Sequence, residues 1–110
     1  MDDPLDKHTL DALFDVVASR RGGDPETSYT AKLFAKGRKK IAQKVGEEGV
    51  ETAIAAVSEG REAVIAETAD LLYHLTVLWA DMGIAPDDIW GELQRRFGTS
   101  GIDEKKTRKK

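Results

Sequence analysis

The stretch Glu47-Glu48-Gly49-Val50-Glu51-Thr52-Ala53-Ile54-Ala55-Ala56-Val57-Ser58-Glu59-Gly60-Arg61-Glu62-Ala63-Val64-Ile65-Ala66-Glu67-Thr68-Ala69-Asp70 sets two acidic patterns on either side of one helix breaker. The first is E-E-x-x-E and the second E-x-x-D, with fifteen residues between them. Glu48 and Glu51 are three apart and share a helix face, as do Glu67 and Asp70. In an antiparallel helical hairpin, residues equally far from the turn lie at one level. Pairing Glu48 with Asp70, or Glu51 with Glu67, centres the turn at the same residue, Glu59, beside Gly60. Two carboxylate pairs are therefore expected to face each other about one helix diameter apart.

Working outward, the chain reads as all-α, with about five helices around this central antiparallel hairpin in a four-helix-bundle-like arrangement. The third helix is expected from about Arg38 to Glu59, with Ile41, Val45, Ile54, Ala55 and Val57 as its apolar contacts. The fourth runs from about Glu62 to Met82 and stops at Gly83. Before them, Leu10, Leu13, Phe14 and Val17 recur at helical spacing and predict a helix over Thr9 to Arg20, broken by Gly22-Gly23-Asp24-Pro25. Ser28 or Thr30 can cap a short second helix ending near Gly37. Pro86 opens a fifth helix carrying Ile89, Trp90, Leu93 and Phe97, closed by Gly98. Residues 99–110 form a polar tail ending in a basic run, and residues 1–110 are read as a single domain. The fourth helix is apolar nearly all round, so it is expected at the centre and to need more cover than one small bundle supplies. A homodimer follows.

Composition narrows the function. Apolar residues make up 40% of the chain, a thin core for this length, and there is no Cys to build a disulfide or a thiolate metal site. Met1-Asp2-Asp3-Pro4 lacks a signal-peptide pattern. The most apolar stretch, Ala63 to Met82, is interrupted by Glu67, Asp70, His74 and Asp81 and is a poor membrane span. A cytoplasmic protein is expected. The net charge of −3 gives no whole-chain footprint for nucleic acid.

The acids carry the chemistry. Carboxylates on a largely apolar helix must be paired, protonated or bound to a cation, and four or five converging acids cannot all ionise at pH 7 without compensating charge. Lys44, one turn before Glu48, can neutralise one of them. Divalent cations can neutralise the rest, and an all-oxygen set favours Mg²⁺ or Mn²⁺ over Zn²⁺. A solvated acidic face is the competing explanation, and the matched register of four acids weighs against it. Gly46 and Gly49 lie within the third helix, where each costs about 1 kcal/mol relative to Ala. Bare backbone there admits a substrate or a neighbouring helix, or simply allows close packing. Lys32, Lys36, Lys40 and Lys44 are spaced by four and lead toward Glu48. Such a stripe suits the outer phosphates of a metal-bound polyphosphate, although Gly37 can interrupt it. His74 falls on the Asp70 face, more naturally as a supporting group than as a ligand. Tyr73, Trp79 and Trp90 read as core or dimer-interface aromatics.

Three segments then resemble a known family. They are Ser28-Tyr29-Thr30-Ala31-Lys32-Leu33, Lys40-Ile41-Ala42-Gln43-Lys44-Val45-Gly46-Glu47-Glu48 and Glu67-Thr68-Ala69-Asp70-Leu71-Leu72-Tyr73-His74-Leu75. With Ser100-Gly101-Ile102-Asp103-Glu104-Lys105 in the tail, they resemble the phosphoribosyl-ATP pyrophosphohydrolases of histidine biosynthesis, over nearly the whole chain. The two acidic patterns alone identify only the wider all-α nucleotide pyrophosphohydrolase (MazG-like) superfamily. The resemblance implies Mg²⁺-dependent hydrolysis of phosphoribosyl-ATP to phosphoribosyl-AMP and pyrophosphate by a homodimer. It implies Glu48, Glu51, Glu67 and Asp70 as metal ligands, and Glu47 as a group that orients water or binds a second metal. It also implies a stand-alone enzyme with a phosphoribosyl-AMP cyclohydrolase as functional neighbour. Gly49 stands where the family often has Ala. Two other functions remain open: a housekeeping nucleoside triphosphate pyrophosphatase, and a non-catalytic helical dimerisation module.

Overall fold

A computed structural model describes residues 8–97, and every regular element among them is an α-helix. The helices are α1 (Thr9–Ser19), α2 (Tyr29–Lys36), α3 (Arg38–Ser58), α4 (Arg61–Met82) and α5 (Pro86–Arg96). Their order and number match the expectation from the sequence. The tail and its Ser100–Lys105 segment lie outside the described residues.

Local chemistry fixes the ends. Ser28, not Thr30, caps α2: its Oγ accepts the Ala31 backbone N–H at 3.1 Å. Pro86 begins α5, and Asp88 Oδ2 accepts the Ala85 N–H at 2.8 Å. Two glycines make the joints on which the hairpin depends. Gly37 (φ 97°) passes α2 directly into α3, and Gly60 (φ 120°) passes α3 into α4. A Cβ at either would meet nothing within 4 Å, so the backbone angle, not space, calls for glycine.

The α3–α4 hairpin is the most extensive packing among the described helices; α1 lies on α4, α2 on α3 and α4, and α5 on α1. The core gathers at one end of the hairpin. Val17 of α1, Leu33 of α2, Ile41 of α3 and Val77 and Ala80 of α4 are buried together, flanked by Leu13, Phe14, Phe34, Tyr73 and Leu78. Polar ties close this end. Arg38 Nε meets Asp81 Oδ2 at 2.8 Å, and Arg21 Nη1 donates to the Ala80 carbonyl at 2.8 Å while its guanidinium sits over Phe34. Trp79 is buried edge-on to Trp90, whose Nε1 donates to Asp11 Oδ1 at 3.3 Å, which places both tryptophans in the packing of α1, α4 and α5.

The turn end is different. Val50, Ile54 and Val57 of α3 are 60%, 48% and 84% exposed, and Ile65 of α4 is 50% exposed. Of the five apolar contacts expected on α3, Ile41 and Ala55 are buried and Val45 half-buried, whereas Ile54 and Val57 face outward. The reason is topological. The core joining α1 and α2 to the hairpin lies where α3 begins and α4 ends, so no other described residue covers this stripe near the turn.

Ile41 is fully buried where α2, α3 and α4 meet. Ile41→Ala should lower the unfolding free energy by about 2–5 kcal/mol in a urea titration. A loss below about 1 kcal/mol would place the core elsewhere.

Candidate functional site

At mid-hairpin, α3 turns Glu48 inward and α4 brings Glu67 and Asp70 to meet it. Glu48 is buried, Glu67 half-buried and Asp70 exposed. One oxygen from each of the three lies within 4.8 Å of the others. The sequence register is thus realised for Glu48, Glu67 and Asp70. Glu51, the fourth member of the pattern, is exposed and stands beside Glu67, outside the tight trio.

The electrostatics of the trio are unbalanced. Oε1 of Glu48 and Oε1 of Glu67 are both buried and have no hydrogen-bond partner among the described residues. Burial first, then the neighbouring charges of Glu51, Glu48 and Asp70, push the Glu67 carboxyl above its ordinary value. Buried acceptors without donors are costly, and clustered carboxylates repel. A divalent cation relieves both, and three carboxylates without thiolate fit a hard ion. Glu48, Glu67 and Asp70 could therefore hold a metal.

One turn earlier on α3, Lys44 Nζ lies 3.2 Å from Glu47 Oε1 and 3.9 Å from Glu48 Oε2. The hydrogen bond to Glu47 is the main cause that holds the Lys44 ammonium above its usual pKa, so the charge is fixed. Glu47 is exposed and also accepts from Gln43 Nε2 at 2.7 Å; Gln43 and then Lys44 hold its carboxyl below the usual range. It remains a carboxylate with both oxygens oriented. Gln43 escaped the sequence reading, although its spacing of four before Glu47 was a usable signal.

The four-spaced lysines do not form one ridge. The Gly37 joint separates Lys32 and Lys36 on α2 from Lys40 and Lys44 on α3. Lys40 acts on Glu47 through its charge, whereas Lys32 and Lys36 are exposed and pair with no carboxylate among the described residues.

His74, one turn beyond Asp70, is 5% exposed, and its Nδ1 is buried without a hydrogen-bond partner among the described residues. Burial, opposed chiefly by the charge of Glu48, lowers its pKa, so the imidazole is uncharged at neutral pH. It lies outside the three-oxygen cluster. Tyr73 packs edge-on to it at 4.9 Å and Tyr29 at 6.3 Å between ring centroids, while Thr30 Oγ1 and Tyr73 Oη share a hydrogen bond. The Ser28-Tyr29-Thr30 segment is thus pinned beside the acidic site. Tyr29 was not singled out from the sequence, where nothing but its neighbours in the motif marked it.

Among the described residues nothing lies within 4 Å of where a Cβ would stand at Gly46 or Gly49, so close packing against them does not explain these glycines. Gly46 instead lines an open depression of about 460 Å³ with Gln43, Glu47, Val50 and Glu51.

A helical hairpin that sets E-E-x-x-E on one helix against E-x-x-D on the next defines the all-α nucleotide pyrophosphohydrolase class. Within that class the chain belongs to the phosphoribosyl-ATP pyrophosphohydrolase family, whose description matches residues 10–97. It is 63% identical over 105 residues to the phosphoribosyl-ATP pyrophosphatase of Paramagnetospirillum magneticum, covering 96% of each chain. The protein of the same name from Rhodospirillum rubrum is 63% identical over 107 residues, 97% of this chain and 92% of the relative. That from Azospirillum brasilense is 57% identical over 108 residues, 98% and 97% of the two chains.

Because the folded state raises the Glu67 pKa, it binds more protons than the unfolded state over the range just above the ordinary carboxyl value of 4.5. The contribution of Glu67 to stability in EDTA should therefore be lost as pH rises through that range, opposite to the trend set by the depressed carboxyls of Glu47 and Glu92. Glu67→Gln, which carries no titrating group there, should gain stability relative to wild type as pH rises. Thermal unfolding between pH 4 and 7 checks this, and parallel curves for the two proteins would refute it.

Proposed function

We propose that the chain hydrolyses phosphoribosyl-ATP to phosphoribosyl-AMP and pyrophosphate, the second step of L-histidine biosynthesis. Family membership and relatives of that name along nearly the full length support the substrate. The convergence of Glu48, Glu67 and Asp70 within 4.8 Å carries the chemistry.

The proposed cation is Mg²⁺, with Mn²⁺ as a substitute, held by Glu48, Glu67 and Asp70 with Glu51 at the margin. When bound, it supplies charge neutralisation on the pyrophosphate leaving group. Water adds across the α–β phosphoanhydride bond, so the protein's task is to position and to balance charge. Glu47, ionised and fixed by Gln43 and Lys44, is the carboxylate that orients the water and takes its proton. Lys44 bridges the acids and the phosphates, because its ammonium already lies between Glu47 and Glu48. Lys40 follows on the same helix, and Lys32 and Lys36 on α2 offer a second pair of cations to the outer phosphates.

The uncovered stripe of Val50, Ile54 and Val57, with Ile65 across the hairpin, supports a homodimer. A second copy would cover these residues and close the open side of the depression at Gly46. Among the described residues no helix is long and apolar enough to cross a membrane. A cytoplasmic, single-domain enzyme, passing its product to a phosphoribosyl-AMP cyclohydrolase, accords with these features.

Pyrophosphate release should be fast from phosphoribosyl-ATP and slow from a panel of nucleoside triphosphates, and EDTA should abolish it. Preference for a triphosphate would point to a housekeeping pyrophosphatase. No release from any nucleotide would leave a non-catalytic module. Asp70→Asn and Glu51→Gln keep shape and remove charge; each should lower kcat by about two to three orders of magnitude while the fold is retained by circular dichroism. Lys44→Ala should lower kcat/KM strongly, whereas Lys36→Ala and Lys40→Ala should chiefly raise KM. A lower Tm with unchanged kcat/KM for Lys44→Ala would make Lys44 a structural partner only.

Val57→Lys combined with Ile54→Lys should convert a dimer to monomer in sedimentation equilibrium at micromolar concentration. A monomeric wild-type protein would remove the dimer.

A further inference from the structure

Tyr29 stands between two anchored neighbours. Ser28 Oγ accepts the Ala31 N–H at 3.1 Å, and Thr30 Oγ1 shares a hydrogen bond with Tyr73 Oη. Ser28 and Thr30 are half-buried, whereas Tyr29 is 53% exposed. Its ring lies nearly parallel to that of Tyr73, at 23° with centroids 6.4 Å apart, and perpendicular to the imidazole of His74, at 86° and 6.3 Å. Pinned backbone on either side and two ring contacts thus fix an aromatic surface that the described residues leave open. That surface adjoins the acidic site. His74 lies one turn along α4 from Asp70, about 6 Å along the axis. Tyr29 also acts electrostatically on Lys44, whose ammonium stands between Glu47 and Glu48.

We propose that Tyr29 is a substrate-binding residue: the adenine ring of the nucleotide stacks on it while the phosphates lie against Lys44 and the acids. Carboxylates, a cation and lysines can recognise the phosphates but not the flat, apolar purine one ribose away. An aromatic ring can, and base–aromatic stacking needs its π face, not its hydroxyl. A ring fixed in advance also loses little freedom when the base arrives. The base is remote from the anhydride bond that breaks, so its loss of contact falls on KM, with kcat little changed. This role rests on the proposed hydrolysis of phosphoribosyl-ATP.

Two variants and one inhibitor separate stacking from the other roles open to Tyr29. Tyr29→Ala removes the ring, and Tyr29→Phe removes only the hydroxyl. Each is assayed for kcat and KM with phosphoribosyl-ATP, and for inhibition by inorganic pyrophosphate, which has phosphates and no base. Stacking requires KM of Tyr29→Ala to rise at least about fivefold, with kcat within about threefold of wild type. It requires Tyr29→Phe to keep KM within about twofold, and pyrophosphate to inhibit all three proteins alike. An unchanged KM in Tyr29→Ala overturns the inference. So does a rise in KM in Tyr29→Phe matching that of Tyr29→Ala, or weaker inhibition by pyrophosphate, either of which would place the hydroxyl on a phosphate. A smaller assembly in sedimentation for Tyr29→Ala than for wild type would assign the ring to a contact between copies and overturn it as well. Should Tyr29→Ala not fold, Tyr29→Leu, which keeps apolar bulk against Tyr73 and His74, is held to the same criteria. A wild-type protein that releases no pyrophosphate from phosphoribosyl-ATP would instead overturn the proposed reaction, and this role with it.

Discussion

Mutual repulsion among Glu48, Glu67 and Asp70 is the constraint around which this small fold is arranged. Three carboxylate oxygens within 4.8 Å would drift apart on flexible segments. They stay together because each is carried on a helix of about six turns, α3 or α4, and because the two helices are locked at the far end by the core. Val17, Leu33, Ile41, Val77 and Ala80 clamp the start of α3 to the end of α4. The Arg38–Asp81 pair closes the same end. Hydrophobic burial at one end thus opposes electrostatic repulsion in the middle. A cation would turn that opposition into attraction, so an acidic cluster costly to the bare protein could hold a metal.

The same division accounts for the lateral order of the site. Positive charge does not enter the trio; it sits a turn away, at Lys44, where Glu47 and Gln43 anchor it. Balancing the acids wholly from within the chain would remove the reason to take up a cation. Leaving them wholly unbalanced would weaken the hairpin. Lys44 reaches Glu48 only at 3.9 Å, a contact that tempers the repulsion without satisfying the buried Oε1. Beyond it the aromatic group of Tyr29, Tyr73 and His74 ties α2 to α4 beside the acids.

Much of this was legible in the sequence because helical hairpins obey simple arithmetic. The helix breaker at Gly60 and the spacing of Glu48, Glu51, Glu67 and Asp70 fix which residues meet, and the short connections bound the helices to within a residue or two. What the sequence could not rank was depth. Glu51 and Glu48 look alike in the motif, yet one is exposed and the other buried, because burial depends on how α3 rolls against α4. Ile54 and Val57 looked like core residues, since apolar periodicity does not say whether the covering surface lies in the same chain. The lysine stripe is interrupted where the sequence allowed for it, at Gly37: one residue at φ 97° changes the helix axis, and four-residue spacing no longer means one face. Gln43 and Tyr29 come into view only through their contacts with Glu47 and His74, and a one-dimensional motif search has no term for that.

The Gly60 joint also sets how the length of this protein can vary. The acids sit on the arms of the hairpin, and the connection between the arms touches none of them. Adding whole turns to both arms beyond the acids, about seven residues in all, would move the connection outward and leave the facing of Glu48 to Asp70 intact. A single inserted residue between Glu51 and Glu67 would rotate one arm by about 100° and advance it about 1.5 Å relative to the other. Insertions and deletions in this segment should therefore be tolerated in helical multiples and rejected otherwise, a rhythm imposed by geometry on the gene.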